Sequence, residues 1–165
     1  MATQILQFYE KNRQHIERWE PMREPGFYTE EYHLLLLKAH QKEHLSGRGF
    51  RLWFALKGVN ELAGCVSYSQ IIYEPFLSCY LGYKTDADFC GRGLMTEAIR
   101  FSSERLFRDY KMHRIEAAVM PINSASKRVL EKCGFRYEGY SSKYLRIRGN
   151  WEDHERYALL AAEQE

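Results

Sequence analysis

Tyr80-Leu81-Gly82-Tyr83 runs through Asp86–Phe89 into Cys90-Gly91-Arg92-Gly93-Leu94-Met95. That order reads as a strand, a glycine-rich loop and the start of a helix. The first amides of a helix lack intrahelical partners and carry partial positive charge. Glycine at two loop positions lets the backbone approach an anion without a Cβ in the way, and Arg92 adds a formal positive charge. The stretch is therefore a candidate pyrophosphate cradle, although an ordinary glycine turn ahead of a helix fits the same residues. A second cluster, Pro121-Ile122-Asn123-Ser124-Ala125-Ser126, also follows a strand and opens a helix. Asn123 and Ser124 are N-cap types. Ser126 falls in the first turn, where its hydroxyl can face a crevice at the sheet edge.

Other patterns carry less. A dinucleotide fingerprint needs glycine where Thr96 stands, and the preceding strand does not open a βαβ unit. Glu116 lies at a spacing suited to a ribose-binding acid, a weak coincidence. His40-Gln41-Lys42-Glu43-His44 matches a zinc-protease pattern. Its helix ends two residues later at a glycine, where histidine simply suits the dipole, and a third ligand is not evident. No metal is expected. Cys90 has only Arg92 as an activating cation, which argues against a nucleophilic thiolate.

The elements that must position these residues follow from periodicity. Residues 2–18 read as an amphipathic helix with Ile5, Phe8, Tyr9 and Ile16 near one face. Trp19–Gly26 is a loop broken by Pro21 and Pro25, and Thr29 caps a second helix to about Ser46. The period then changes to strands over 50–56, 62–72 and 77–84, with a turn at Gly58-Val59-Asn60. A helix over 93–110, a strand over 114–120 and a short helix over 124–132 closed by Gly134 come next. Two final strands span 135–142 and 144–160, the second interrupted at Gly149-Asn150. The order α-α-β-β-β-α-β-α-β-β predicts a single α/β domain over 1–165 with a mixed, mostly antiparallel sheet rather than a doubly wound one.

Composition bounds the function. The 165 residues are 45% hydrophobic and 28% charged, an ordinary globular balance. A net charge of +2 is a poor match for a dedicated duplex-DNA binder, so no direct nucleic-acid partner is expected. The longest apolar run, Leu34–Leu37, is too short to span a bilayer, and no signal pattern opens the chain. The four cysteines form no C-x-x-C pair and no disulfide framework. Together these predict a reduced, cytoplasmic protein with no membrane partner.

C-G-R-G-L-M-T-E-A at 90–98 and H-R-I-E-A-A-V-M-P-I-N-S-A-S-K-R-V-L-E-K-C-G-F-R-Y-E-G at 113–139 resemble the GNAT superfamily of acyl-CoA-dependent acetyltransferases. Within it the chain is similar to the ribosomal-protein-alanine N-acetyltransferases of the RimJ/RimL type. N-R-Q-H-I-E-R-W-E-P, S-C-Y-L-G-Y and G-N-W-E-D-H add to that likeness, which covers nearly the whole chain. The resemblance implies a sheet with a splayed strand pair and flanking helices, and acetyl-CoA as cosubstrate without a metal. Cys90, Gly91, Arg92, Gly93, Leu94 and Met95 would hold the pyrophosphate. Amides near Leu81, Gly82 and Tyr83 would hold the pantetheine and thioester carbonyl, and Asn123 and Ser126 would face pantetheine and sulfur. Where many members carry a catalytic Tyr this chain has Leu130, so the proton donor moves to Ser126. Where RimL-type members place a Glu base this chain has Tyr80. The first strand of the family has no counterpart, which leaves residues 50–56 as an edge and predicts a guard for it: a second chain in a homodimer, the first helix or Arg51.

The implied reaction carries acetyl from sulfur to an amine. An α-amine with a pKa of about 7.7–8.0 is already partly neutral near pH 7, whereas lysine at about 10.4 needs more help. This favours a protein N-terminus as acceptor. Trp19, Glu20 and Arg23 in the two-proline loop, and Tyr140 with Trp151 and Asp153, are candidate acceptor contacts, though each also suits packing. Acetylation of a small amine or an antibiotic, and acyl-CoA binding with little turnover, remain open alternatives.

Overall fold

The computed structural model describes residues 1–162, so the last three residues of the expected 1–165 domain lie outside the described range. The elements in order are α1 (Ala2–Lys11), α2 (Arg13–Glu17), α3 (Glu30–Leu45), β1 (Phe50–Ala55), β2 (Leu62–Ile72), β3 (Ser78–Thr85), a short 3-10 turn (Ala87–Phe89), α4 (Leu94–Asp109), β4 (Arg114–Val119), α5 (Ser124–Lys132), β5 (Arg136–Ile147) and β6 (Asn150–Leu160). The six strands form one sheet in the order β1-β2-β3-β4-β6-β5. All neighbours are antiparallel except β3 and β4. The mixed, mostly antiparallel sheet with flanking helices is thus as the sequence predicts.

Two boundaries differ from the sequence reading. The expected helix over 2–18 breaks at Asn12, which is only 1% exposed. Its amide nitrogen donates to the Phe8 carbonyl (2.9 Å) and to Asp86 Oδ2 (2.8 Å), and its Oδ1 accepts from the Ala87 amide (2.9 Å). A tertiary contact therefore overrides helical periodicity. The expected strand break near Lys143 is instead a bulge: the β5–β6 register shifts between Ser141 and Leu145, Lys143 takes a φ of 48°, and its amide donates to Asp153 Oδ1 at 2.7 Å. The true turn is Arg148-Gly149, both at positive φ, between the paired Ile147 and Asn150. Two residues of that kind make the tight turn whose twist suits a hairpin.

The two faces of the sheet are covered separately. Val66, Leu81, Ile115 and Ala117 point to the face covered by α4 and α5, where they meet Met95, Ile99, Leu106 and Leu130. Apolar residues at helical spacing give α4 its buried side. On the other face, Ile5, Phe8 and Tyr9 of α1 pack with Phe27, Trp53 and Leu62. β1 is a sheet edge over which α3 packs, while α1 reaches it through Phe8 and Tyr9 against Trp53; Arg51 on β1 stays exposed, with its Nη1 3.4 Å from His40 Nδ1. Thr29 caps α3 by accepting from the Tyr32 amide at 3.3 Å.

The parallel pair decides where the function lies. β3 and β4 pair only at Ser78–Arg114, Cys79–Ile115 and Tyr80–Glu116. Beyond that point β3 stays with β2 as far as Thr85, and β4 stays with β6 as far as Val119. The two strands therefore splay, and the backbone groups of Leu81–Thr85 and Ala117–Val119 that would have paired across have no strand partner.

Candidate active site

The splay opens an open cleft of about 590 Å³. Its walls are Leu81–Thr85 of β3, Ala117–Met120 at the end of β4, the start of α4, and α5. Gly91, Gly93, Leu94, Met95 and Thr96 line it where α4 begins. Gly91 has a φ of 76° and Gly93 one of 82°, conformations that side chains with a Cβ adopt at a cost of roughly 1–2 kcal/mol. Gly93 is the N-cap of α4 and offers no side-chain cap, so the first amides of this 16-residue helix stay free at the cleft wall. Cys90 also lines the cleft, with its Sγ 3.6 Å from His15 Nε2. Burial first, then the Asp86 charge, push the Cys90 thiol up, away from thiolate chemistry. Arg92 lies outside the lining: its guanidinium turns back over the Phe89 ring, 5.3 Å from the centroid.

The loop is anchored from beneath. Asp86 is almost fully buried, with Oδ2 2.8 Å from Asn12 Nδ2 and 3.0 Å from Lys11 Nζ, and with Oδ1 accepting from the Asp88 amide at 2.9 Å. Burial alone would raise its pKa, but these donors hold the carboxyl below its ordinary value.

Asn123 caps α5 by accepting the Ser126 amide at 3.1 Å, which leaves the Ser126 hydroxyl free of capping. That hydroxyl lies 2.6 Å from the Tyr83 hydroxyl, which also donates to the Ser126 carbonyl at 3.0 Å. Both residues line the cleft, one from each wall. Burial pushes the Tyr83 phenol up, so it stays protonated at neutral pH and serves as a hydrogen-bond donor. Leu130 points into the core and is fully buried.

Of the expected acceptor residues, Trp19 and Glu20 line the cleft on the α1–α2 side. The Glu20 carboxylate is held by Lys84 and Arg23, and Lys84 Nζ also donates to the Tyr9 hydroxyl at 3.0 Å. Arg23 stands behind this wall, stacked over Phe27 at 4.2 Å, and does not reach the cleft. Tyr80 is outside the cleft too. Strand alternation turns it to the α1 face of the sheet just before the splay, where burial, Glu116 and a hydrogen bond with Tyr144 raise its pKa. Tyr140 is exposed on the β5–β6 hairpin, bonded to Asp153, and is not among the residues that line the cleft. Trp151 is exposed on the same hairpin.

Sequence reasoning missed several cleft residues. His15 and Arg18 come from the broken first helix, Arg128 and Lys132 from successive turns of α5, and Lys84 and His154 from strands. Only the i, i+4 spacing of Arg128 and Lys132 signalled a shared face. Among the described residues no group of three or more His, Cys, Asp or Glu could hold a metal ion.

A family model described as the acetyltransferase (GNAT) domain matches residues 2–136. The chain belongs to the GNAT acetyltransferase family. It is 35% identical to a probable N-acetyltransferase, YjcK, of Bacillus subtilis, over 99% of this chain and 91% of that protein. It is 32% identical to the [ribosomal protein uS5]-alanine N-acetyltransferase of Escherichia coli, over 93% of this chain and 79% of that one. The fold superposes on the crystal structure of the ribosomal-protein-S5-alanine acetyltransferase from Vibrio fischeri with a TM-score of 0.91, 35% identity and coverage of 96% and 87%. Mycobacterium smegmatis RimJ in complex with CoA-disulfide gives a TM-score of 0.89 at 28% identity, with coverage of 97% and 77%.

Proposed function

We propose that this acetyltransferase moves an acetyl group from acetyl-CoA to the N-terminal α-amine of a ribosomal protein. The observation that carries the reading is the splay. It joins an uncapped α4 N-terminus, suited to a pyrophosphate, to an opening that reaches the opposite face of the sheet beside Trp19 and Glu20. A donor and an acceptor can thus meet from opposite sides in one ternary complex. Similarity to enzymes named for ribosomal-protein alanine supports a protein N-terminus as acceptor.

Acetyl-CoA supplies an activated acetyl thioester. The amides at Gly91, Gly93, Leu94 and Met95 bind its phosphates, with Asn123 and Ser126 along the pantetheine. Unpaired amides of Leu81–Tyr83 stabilise negative charge that develops on the carbonyl oxygen. Ser126 Oγ, backed by the Tyr83 hydroxyl, gives a proton to the departing sulfur. Trp19 and Glu20 border the acceptor, and Arg23 with Lys84 fixes the Glu20 carboxylate in place.

Two measurements test this. Acetyl-CoA at about 100 times its dissociation constant should stabilise the protein by roughly 2.7 kcal/mol, a rise in Tm of about 5–10 °C, whereas NADH should do much less. Equal shifts with both would overturn the cosubstrate assignment. Release of free thiol from acetyl-CoA should be fastest with peptides bearing a free N-terminus such as alanine, and slow with N-blocked peptides containing lysine and with small amines. A preference for small amines would replace the acceptor reading.

A further inference from the structure

The cleft contains a histidine to which the preceding chemistry assigns nothing. His154 lines it and is only 3% exposed. On β6, Arg156 pairs with Ala118 and Ala158 with Glu116, so these residues share one face of the sheet. His154, two residues before Arg156, takes the same face by strand alternation. Ala117, Val119 and Tyr157 take the other, against α4 and α5. The β4–β6 pairing ends at Val119–Glu155, so His154 stands just past the last rung, where β4 leaves the sheet edge open. Ser126 and the α4 N-terminus belong to one side of the opening, and His154 to the side of Trp19 and Glu20.

Its tautomer follows from one contact. His154 Nδ1 lies 3.0 Å from the Glu152 carbonyl oxygen. A carbonyl only accepts, so Nδ1 carries the hydrogen and Nε2 of the neutral ring presents its lone pair. Among the described residues Nε2 has no hydrogen-bond partner, and it is not one of the sealed, unpartnered polar atoms. The ring is steadied by Tyr144, 5.8 Å away. The other polar residues that line the acceptor side are already engaged: Glu20 by Lys84 and Arg23, Lys84 by Glu20 and Tyr9. Arg18 and His15 are the remaining titratable groups from the α2 region that face this space, and Arg156 with Glu116 flank it on the sheet.

We propose that His154 is the proton acceptor for the incoming amine, the role left without an occupant by Tyr80. The inference rests on the N-acetyl-transfer reading, not on which amine is the acceptor. An α-ammonium loses two protons on becoming an amide. The first passes to His154 Nε2 and on to solvent. The C–N bond then forms and the C–S bond breaks; Ser126 Oγ gives a proton to sulfur, and the second nitrogen proton restores that hydroxyl through solvent. A neutral imidazole nitrogen within reach can take a proton from an α-ammonium, whose own pKa of about 7.7–8.0 lies close to neutral pH.

The experiment uses whichever acceptor the wild-type enzyme acetylates fastest. If wild type acetylates none, the functional reading fails and His154 is not at issue. Otherwise His154→Gln should lower kcat about 10²-fold at pH 7 with the acetyl-CoA dissociation constant unchanged. The deficit should narrow as pH rises past the acceptor amine's own pKa, because the free amine then needs no proton acceptor. A second readout needs no variant and no turnover. Nitrogen NMR of the wild-type imidazoles, with free CoA bound, should show His154 as the Nδ1–H tautomer, and its Nε2 signal should shift when acceptor peptide is added. Wild-type kcat in His154→Gln, a deficit that does not change with pH, an Nε2–H tautomer, or an Nε2 signal blind to peptide would each overturn the assignment.

Discussion

Replacing Ser126 with alanine should lower kcat about 10²-fold while acetyl-CoA affinity and melting temperature stay close to wild type. The expectation rests on a separation of roles at the start of α5. Asn123, not Ser126, caps the helix, accepting the Ser126 amide at 3.1 Å. The Ser126 hydroxyl is instead 2.6 Å from the Tyr83 hydroxyl, both residues lining the cleft. Its removal takes away a proton donor without removing a cap, so stability should change by less than about 1 kcal/mol. Tyr83→Phe should cost less turnover, because Ser126 keeps its own hydrogen. Ser124→Ala, exposed at the first position of the same helix, should change neither rate nor stability. Steady-state kinetics with a saturating acceptor, beside thermal melts, checks the set. Unchanged turnover in Ser126→Ala would remove this hydroxyl from the mechanism and leave positioning at the strand splay as the main source of rate.

The second large effect concerns the anchor beneath the glycine loop. Asp86→Ala should destabilise the fold by about 3 kcal/mol, because it leaves one hydrogen of the buried Asn12 side-chain amide and the Asp88 backbone amide without an acceptor and strands part of the Lys11 charge. For a chain of this size that is a fall in Tm of about 6–12 °C. Lys11 would suffer less, since Asp88 and Glu61 also lie within 3.0 Å of its Nζ. The pH dependence has a definite sign. The folded Asp86 carboxyl lies below its unfolded value, so its contribution is fully present above the unfolded pKa of about 3.9. It is lost as pH falls through the folded pKa. Acid melts below pH 4 should therefore separate wild type from Asp86→Ala less and less. A constant gap down to pH 2 would show that the carboxylate charge contributes nothing. The same variant should weaken acetyl-CoA binding, because Asp86 and Asn12 hold the turn that leads into Cys90–Gly93.

Much of the architecture was legible in the residues themselves. Period and punctuation place β2 at Leu62–Ile72 and α5 at Ser124–Lys132, because each is bounded by residues with strong local preferences. The glycine-lined end of the cleft was legible for the same reason: glycines ahead of a helix are a local, short-range signal, and Gly91 and Gly93 take the left-handed conformations they allow. What escaped was set by contacts distant in sequence. Asn12 breaks the first helix because Asp86, 74 residues away, takes its side chain. Tyr83 and Ser126 meet across 43 residues, and neither signals the other. His154 looks like an ordinary interior residue of an alternating strand until the pairing of β4 with β6 ends beside it. Arg92 and Tyr80 have the right chemistry but face elsewhere, one over Phe89 and one beneath the splay. Residue types and local spacing determined which elements form and where two glycines open a helix N-terminus. The parting of β3 from β4 after Tyr80–Glu116 is a property of the whole sheet, and it alone decided which side chains share the cleft, because no local preference encodes where two strands far apart in sequence stop pairing.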